Sequence, residues 1–297
     1  MRYSLLSRFQ GGLLGSIIAE SYAKQKQFQL GTEQLSTASK IGNDTLAHLI
    51  KTRGQWEPEN WLSGISSIDQ EKNRFDSNDL AVATLPLNLF FHDSPLIWQQ
   101  KLLTLIAPEL DFDSQGAILL WSKAISLLLS EKLAPSDLIS QLLVQLDPKA
   151  TKLKGQLEQI QAFLETRSSL DRVIAQLSHS QYPQGAITSA LYCFLATPED
   201  FRLCVNRAQL VETSIPLTAN LTGAMAGVYN SSLAIPIQWR VASASLTTEW
   251  TICKQAEQLF SLWSGVYQPR DTDDLLMQAA VAAPQVIQKR ASLPIKK

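Results

Sequence analysis

Two short stretches concentrate the oxygen ligands that a hard divalent cation takes. Asp271-Thr272-Asp273-Asp274 is the most acidic cluster in the chain, and Gly42-Asn43-Asp44-Thr45 sets an amide, a carboxylate and a hydroxyl side by side. Both stretches open helical runs, where the same residue types have a second use. They satisfy orphan N–H groups and complement the positive end of the helix macrodipole. For Asp271–Asp274 capping is the better reading, because the first turn spreads successive side chains around the axis instead of converging them. His48 follows Asp44 by four residues on one helix face, which leaves an Asp–His pair open, although no HExxH pattern supports it. Nucleophile chemistry has little to draw on. His48, His92 and His179 are scattered, as are Cys193, Cys204 and Cys253. His92 and His179 fall next to cap and turn residues and are expected at the surface. Patterns of the GxSxG, GxGxxG or phosphate-loop type are absent from the sequence.

The bulk properties narrow the field further. Across 297 residues, 26 Lys and Arg stand against 27 Asp and Glu, a net charge of -1. That balance leaves no basic footprint for nucleic acid. With 18% charged and 45% hydrophobic residues the chain folds into a globule and is not disordered. An odd cysteine count without CxxC indicates neither a disulfide framework nor a zinc knuckle, so the expected compartment is reducing and cytoplasmic. The N-terminal apolar run is broken by Gln10 and Ser16, and Glu20 falls where a signal-peptide cleavage site would be. No stretch reaches about 18 unbroken apolar residues, so no membrane span is expected.

The elements that must position these residues are helices. Apolar periodicity near 3.6 predicts helical stretches at 8–23, 44–53 (closed by Gly54), 58–68, 78–91, 96–106, 114–131, 135–146, 150–165, 185–195, 201–208, 216–229, 248–263 and 272–289, with a short one after Pro236. Strand alternation is nearly absent, and no repeat of 20–50 residues recurs. The expected architecture is all-α, a compact multi-helix orthogonal bundle in a single domain spanning 1–297. Residues 66–79 read as a loop and 166–184 as a second soft region. Gly11, Gly12 and Gly15 lie inside a helical pattern with no strand before them, so they serve close helix packing and not phosphate binding. The seven tryptophans fall on helix faces and are assigned to the core.

Four segments, taken in order over residues 8–265, resemble the ADP-ribosylglycohydrolase family. GGLLGSIIAESYA at 11–23 is similar to its opening helix, G-x-L-L-G-x-x-x-G-D-A. GNDTLAHLIKTRGQWEPENWL at 42–62 is similar to the T-D-D-T metal motif and its helix. SNDLAVATLPLNLFF at 77–91 resembles the S-N-G-A-A-M-R-x-x-P-L-G segment. The stretch 187–236 carries the A-L-x-x-F-L, P-x-x-F, R-A and G-A-x-A-G-x-Y landmarks at matching spacing. The resemblance implies a helical fold with an ADP-ribose cleft and two magnesium or manganese ions, whose bridging water attacks the anomeric carbon.

Residue by residue, most of the implied ligands are missing. Gly42 and Asn43 stand where the motif has threonine and aspartate, so only Asp44 and Thr45 match. Ser214 and Pro216 occupy the two later aspartate positions, and proline offers no side-chain ligand. Glu20 keeps a carboxylate in place of aspartate. In the substrate segment Asn78 matches, Asp79 replaces glycine and Ala83 replaces arginine. DFDSQ stands where a threonine–histidine stretch is expected. Hence the first expectation is a family member that has lost dinuclear hydrolysis, needs no cofactor, and binds ADP-ribose, another nucleotide or a protein partner; the family includes a non-enzymatic lens crystallin. The alternative is an active hydrolase with a reduced Mg2+ or Mn2+ site on Asp44, Thr45 and Asn43, with Glu20 orienting water and Asn78 and Asp79 meeting substrate. Under that alternative Asp271–Asp274 could join the cleft.

Overall fold

Capping and glycine contacts, more than helix propensity, decide where the helices begin and how closely they pack. The computed structural model describes residues 3–28, 35–58, 61, 76–106, 110–130, 134–178, 184–211, 214–243 and 246–265. Among the described residues the chain is all-α and contains no strand. The helices are α1 (Leu5–Phe28), α2 (Thr37–Lys51), α3 (Ser77–Ala83), α4 (Leu85–Phe90), α5 (Leu96–Ile106), α6 (Phe112–Ser130) and α7 (Leu138–Val144). They continue as α8 (Thr151–Glu165), α9 (Leu170–Ser178), α10 (Gly185–Leu195), α11 (Phe201–Ala208), α12 (Ile215–Asn230), α13 (Ile237–Ser243) and α14 (Leu246–Ser264). No described helix is long and apolar enough to cross a membrane.

The antiparallel pair α1 and α12 makes the most extensive helix contact and lies at the centre of the core. Two glycine pairs set its closeness. A Cβ at Gly11 would collide with the Gly227 carbonyl oxygen, and one at Gly15 would lie 2.5 Å from the Gly223 oxygen. The reciprocal collisions hold at Gly223 and Gly227, so larger residues would force the helices apart. The packing role expected of Gly11 and Gly15 is the one they have. Arg8, 2% exposed, anchors one end of the pair. Its Nε donates to the Val228 carbonyl at 2.8 Å, and its Nη1 and Nη2 donate to the carbonyls of Leu129 at 3.1 Å and of Leu128. These carbonyls belong to the last turns of α12 and α6, where no intrahelical donor remains.

Several expectations change. Helix α2 begins at Thr37, not 44, because Ser36 caps it by accepting from the Ser39 N–H at 3.2 Å. Residues 42–45 therefore lie inside the helix and cap nothing. Residues 77–79, where the expected loop 66–79 overlaps the helix expected from 78, form the first turn of α3, whose cap Asp76 accepts from the N–H groups of Asn78 and Asp79. The single helix expected over 78–91 is two, α3 and α4, separated at Thr84. Pro86 has no N–H to continue the ladder, and the Thr84 hydroxyl donates back to the carbonyls of Leu80 and Ala81.

His92, expected at the surface, is buried. Its Nδ1 pairs with the Leu89 carbonyl at 2.8 Å and its ring packs on Phe9 and Trp263. Trp56, Trp61, Trp98, Trp121 and Trp239 are core residues as expected. Trp250 is not: it is 65% exposed, with the Lys254 ammonium 4.8 Å above its ring. His179, most of 58–68, and 272–289 with Asp271–Asp274 lie outside the described residues.

Candidate functional site

The residues singled out in the sequence come from the far end of α1, the second turn of α2, the first turn of α3 and the start of α12. Glu20 is fully buried on α1. Its Oε1 accepts from the Ser36 N–H at 2.6 Å and from the Lys24 ammonium at 2.8 Å. Its Oε2 accepts from the Ser39 hydroxyl and from Asn220 Nδ2 at 2.9 Å. Asn220 Nδ2 also lies 2.9 Å from the Ser39 oxygen. A carboxylate offers about four lone-pair sites, and four protein donors fill them here. The local reason is helical spacing. Lys24 lies one turn beyond Glu20 on α1, while Ser36 and Ser39 bring the capped start of α2 against it.

On α2, successive side chains diverge by a little over a quarter turn, so the four motif positions cannot face one way. Gly42 and Thr45 are buried, Asn43 is half-buried and Asp44 is exposed. The Thr45 hydroxyl donates to the Ile41 carbonyl and accepts from Trp61 Nε1, both at 2.7 Å. It holds an indole in the core. Neither a hydrogen bond nor an ion pair joins Asp44 to His48, both of them described residues. On α3, Asn78 and Asp79 are 4% and 7% exposed. The Asn78 Oδ1 accepts from the Ile187 N–H at 3.2 Å in the first turn of α10, tying the two helices together. At α12, Ser214 is exposed in the left-handed region with φ 49°, and its side chain caps nothing. Pro216 follows in the first turn.

Sequence reasoning missed Lys24, Ser39 and Asn220. Lys24, one turn from Glu20, was findable by its i,i+4 spacing; Asn220, 200 residues away, was not. It also missed Asp113 of DFDSQ, whose Oδ1 accepts from the Leu153 N–H at 2.9 Å and so caps α8 from another helix. A separate groove of about 560 Å³ lies between α5, α6 and α7, lined by Leu96, Leu103, Phe112, Leu119 and Leu146 among others. None of the expected site residues lines it. The cysteines offer no ready nucleophile. Burial pushes the Cys204 thiol up to about 12, and burial also raises Cys193 and Cys253.

The family profile for ADP-ribosylglycohydrolases matches residues 4–269. The chain belongs to the ADP-ribosylglycohydrolase family. No curated protein matches it. The match ends before Asp271, so Asp271–Asp274 lies outside it as well as outside the described residues.

Among the described residues, the donors that this family member presents do not fit two divalent ions. Among the described residues no three His, Cys, Asp or Glu side chains gather as a ligand set. At the aligned positions, Glu20 and Thr45 are committed to protein partners and Asp44 faces solvent. Ser214 and Pro216 supply no carboxylate, and two dications would lack the negative charge that hard-cation sites provide.

Proposed function

We propose that this family member has lost dinuclear-metal hydrolysis of ADP-ribosyl bonds and acts by binding, with ADP-ribose, a related nucleotide or a protein partner as the ligand. What carries the reading is the saturation of Glu20: each of its carboxylate oxygens already accepts two protein donors. A carboxylate in that state has no lone pair free to orient water or hold a cation. Asn43 and Asp44 are left on the accessible side of α2, and an amide with one exposed carboxylate makes a weak site for a single ion at most.

The test is titration of the full chain with Mg2+ and Mn2+ by calorimetry, combined with turnover of peptides bearing ADP-ribosylated arginine or serine. The expected result is no tight metal binding and no metal-dependent release of ADP-ribose. Tight Mn2+ binding that Asp44→Ala abolishes, accompanied by turnover, would overturn the proposal in favour of a hydrolase with a reduced metal site. Ligand binding is scored separately. A melting temperature that rises with ADP-ribose identifies a nucleotide ligand, because a ligand that prefers the native state stabilises it.

A further inference from the structure

We propose that Lys24 is the built-in counterion of Glu20, supplying at the junction of α1, α2 and α12 the positive charge that a divalent cation would otherwise have to bring. The proposal rests on the functional reading above in one respect, that no metal faces this carboxylate.

A carboxylate with no exposed surface is costly unless it is paired and hydrogen-bonded. Glu20 meets both conditions with groups of this chain alone. The Lys24 ammonium, 2.8 Å from Oε1, is the one full positive charge among its four donors. Ser36 N–H, Ser39 hydroxyl and Asn220 amide fill the remaining lone pairs. The ammonium reaches inward from the rim, since the Lys24 side chain is 20% exposed while that of Glu20 is 0% exposed. Within this pair the two charges offset one another. Four donors of this chain fill the Glu20 lone pairs, and a cation binding this carboxylate would have to displace one of them.

Charge pairing of this kind has a signature that simple packing lacks, namely non-additivity. The experiment compares melting temperatures, in EDTA, of full-length wild type, Glu20→Gln, Lys24→Gln and the double variant, with Lys24→Arg as the conservative change. Each neutralising substitution is expected to lower the melting temperature by roughly 5 °C. The double variant is expected to melt clearly above the sum of the two losses, and Lys24→Arg to stay near wild type. Additive losses would overturn the proposal and leave Lys24 as a surface residue.

If Glu20→Gln does not fold, a second pair decides. Asn220→Asp places another negative charge beside Glu20, whereas Asn220→Ala only deletes a donor, so Asn220→Asp should melt lower. Equal melting, or a higher value for Asn220→Asp, would overturn the proposal. The two readings fail separately. Turnover by wild type would remove the functional reading while leaving a measured Lys24–Glu20 coupling intact, and additive losses without turnover would do the reverse.

Discussion

The two ends of α1 carry opposite charges into the core and solve the same problem in different ways. Arg8 and Glu20 lie 12 residues apart, about 18 Å along the helix. Arg8 meets the C-terminal turns of α6 and α12, where carbonyls lack donors; Glu20 meets the capped N-terminus of α2, where N–H and hydroxyl groups lack acceptors. Each charge is matched to the sign of the helix end it faces. The named partners of Arg8 are main-chain carbonyls, while three of the four partners of Glu20 are side chains. The arginine end is thus fixed by backbone geometry, and the glutamate end by which residues evolution has placed around it. Only the second kind of site can be rewritten one residue at a time.

That contrast can be broken most forcefully at Arg8. Arg8→Met leaves three buried carbonyls without a charged donor and should cost at least about 3 kcal/mol, read as a shift in urea midpoint. If it costs no more than a neutral hydrogen bond, the two ends are not the matched pair described above. Between them, Gly227→Ala should cost about 1–3 kcal/mol, because the new methyl meets the Gly11 backbone and not a movable side chain. Ser39→Ala, which removes one of the two donors to Glu20 Oε2, should cost about 1 kcal/mol.

Alkaline pH probes a third buried region. The folded chain keeps a proton on Cys204 from the ordinary 9.0 up to about 12, whereas the unfolded chain releases it near 9.0. The unfolded state therefore binds fewer protons in that interval, and stability should hold to pH 8 and fall as pH rises above about 9. Half-buried Cys253 should react with an alkylating agent before buried Cys193 and Cys204. The smallest effect is expected at Asp44. Asp44→Asn should leave the urea midpoint unchanged, because the carboxylate faces solvent and pairs with nothing among the described residues. A marked loss there would mean that a ligand-binding charge has been mistaken for a solvated one.

The helical class and the function of Gly11 and Gly15 were legible because periodicity and small-residue spacing are local signals. The start of α2 was not. A glycine followed by Asn and Asp mimics a helix entrance, and the cap at Ser36 outcompetes it from seven residues upstream. The split between α3 and α4 could have been read from Pro86, yet the apolar run on either side concealed it. At the site, absent carboxylates were visible residue by residue at Gly42, Asn43, Ser214 and Pro216. The use made of Glu20 was hidden, since it depends on Asn220, which only the antiparallel packing of α1 on α12 brings within reach.

That packing also sets a clock for biosynthesis. Gly11 and Gly15 are made more than 200 residues before their partners Gly227 and Gly223, as is Arg8 before Val228, and Glu20 is made 200 residues before Asn220. At about 5–20 residues per second, the first helix waits roughly 10–40 s for the face of α12 that covers its glycines. Throughout that interval the nascent chain presents to the cell a surface that the finished protein never shows.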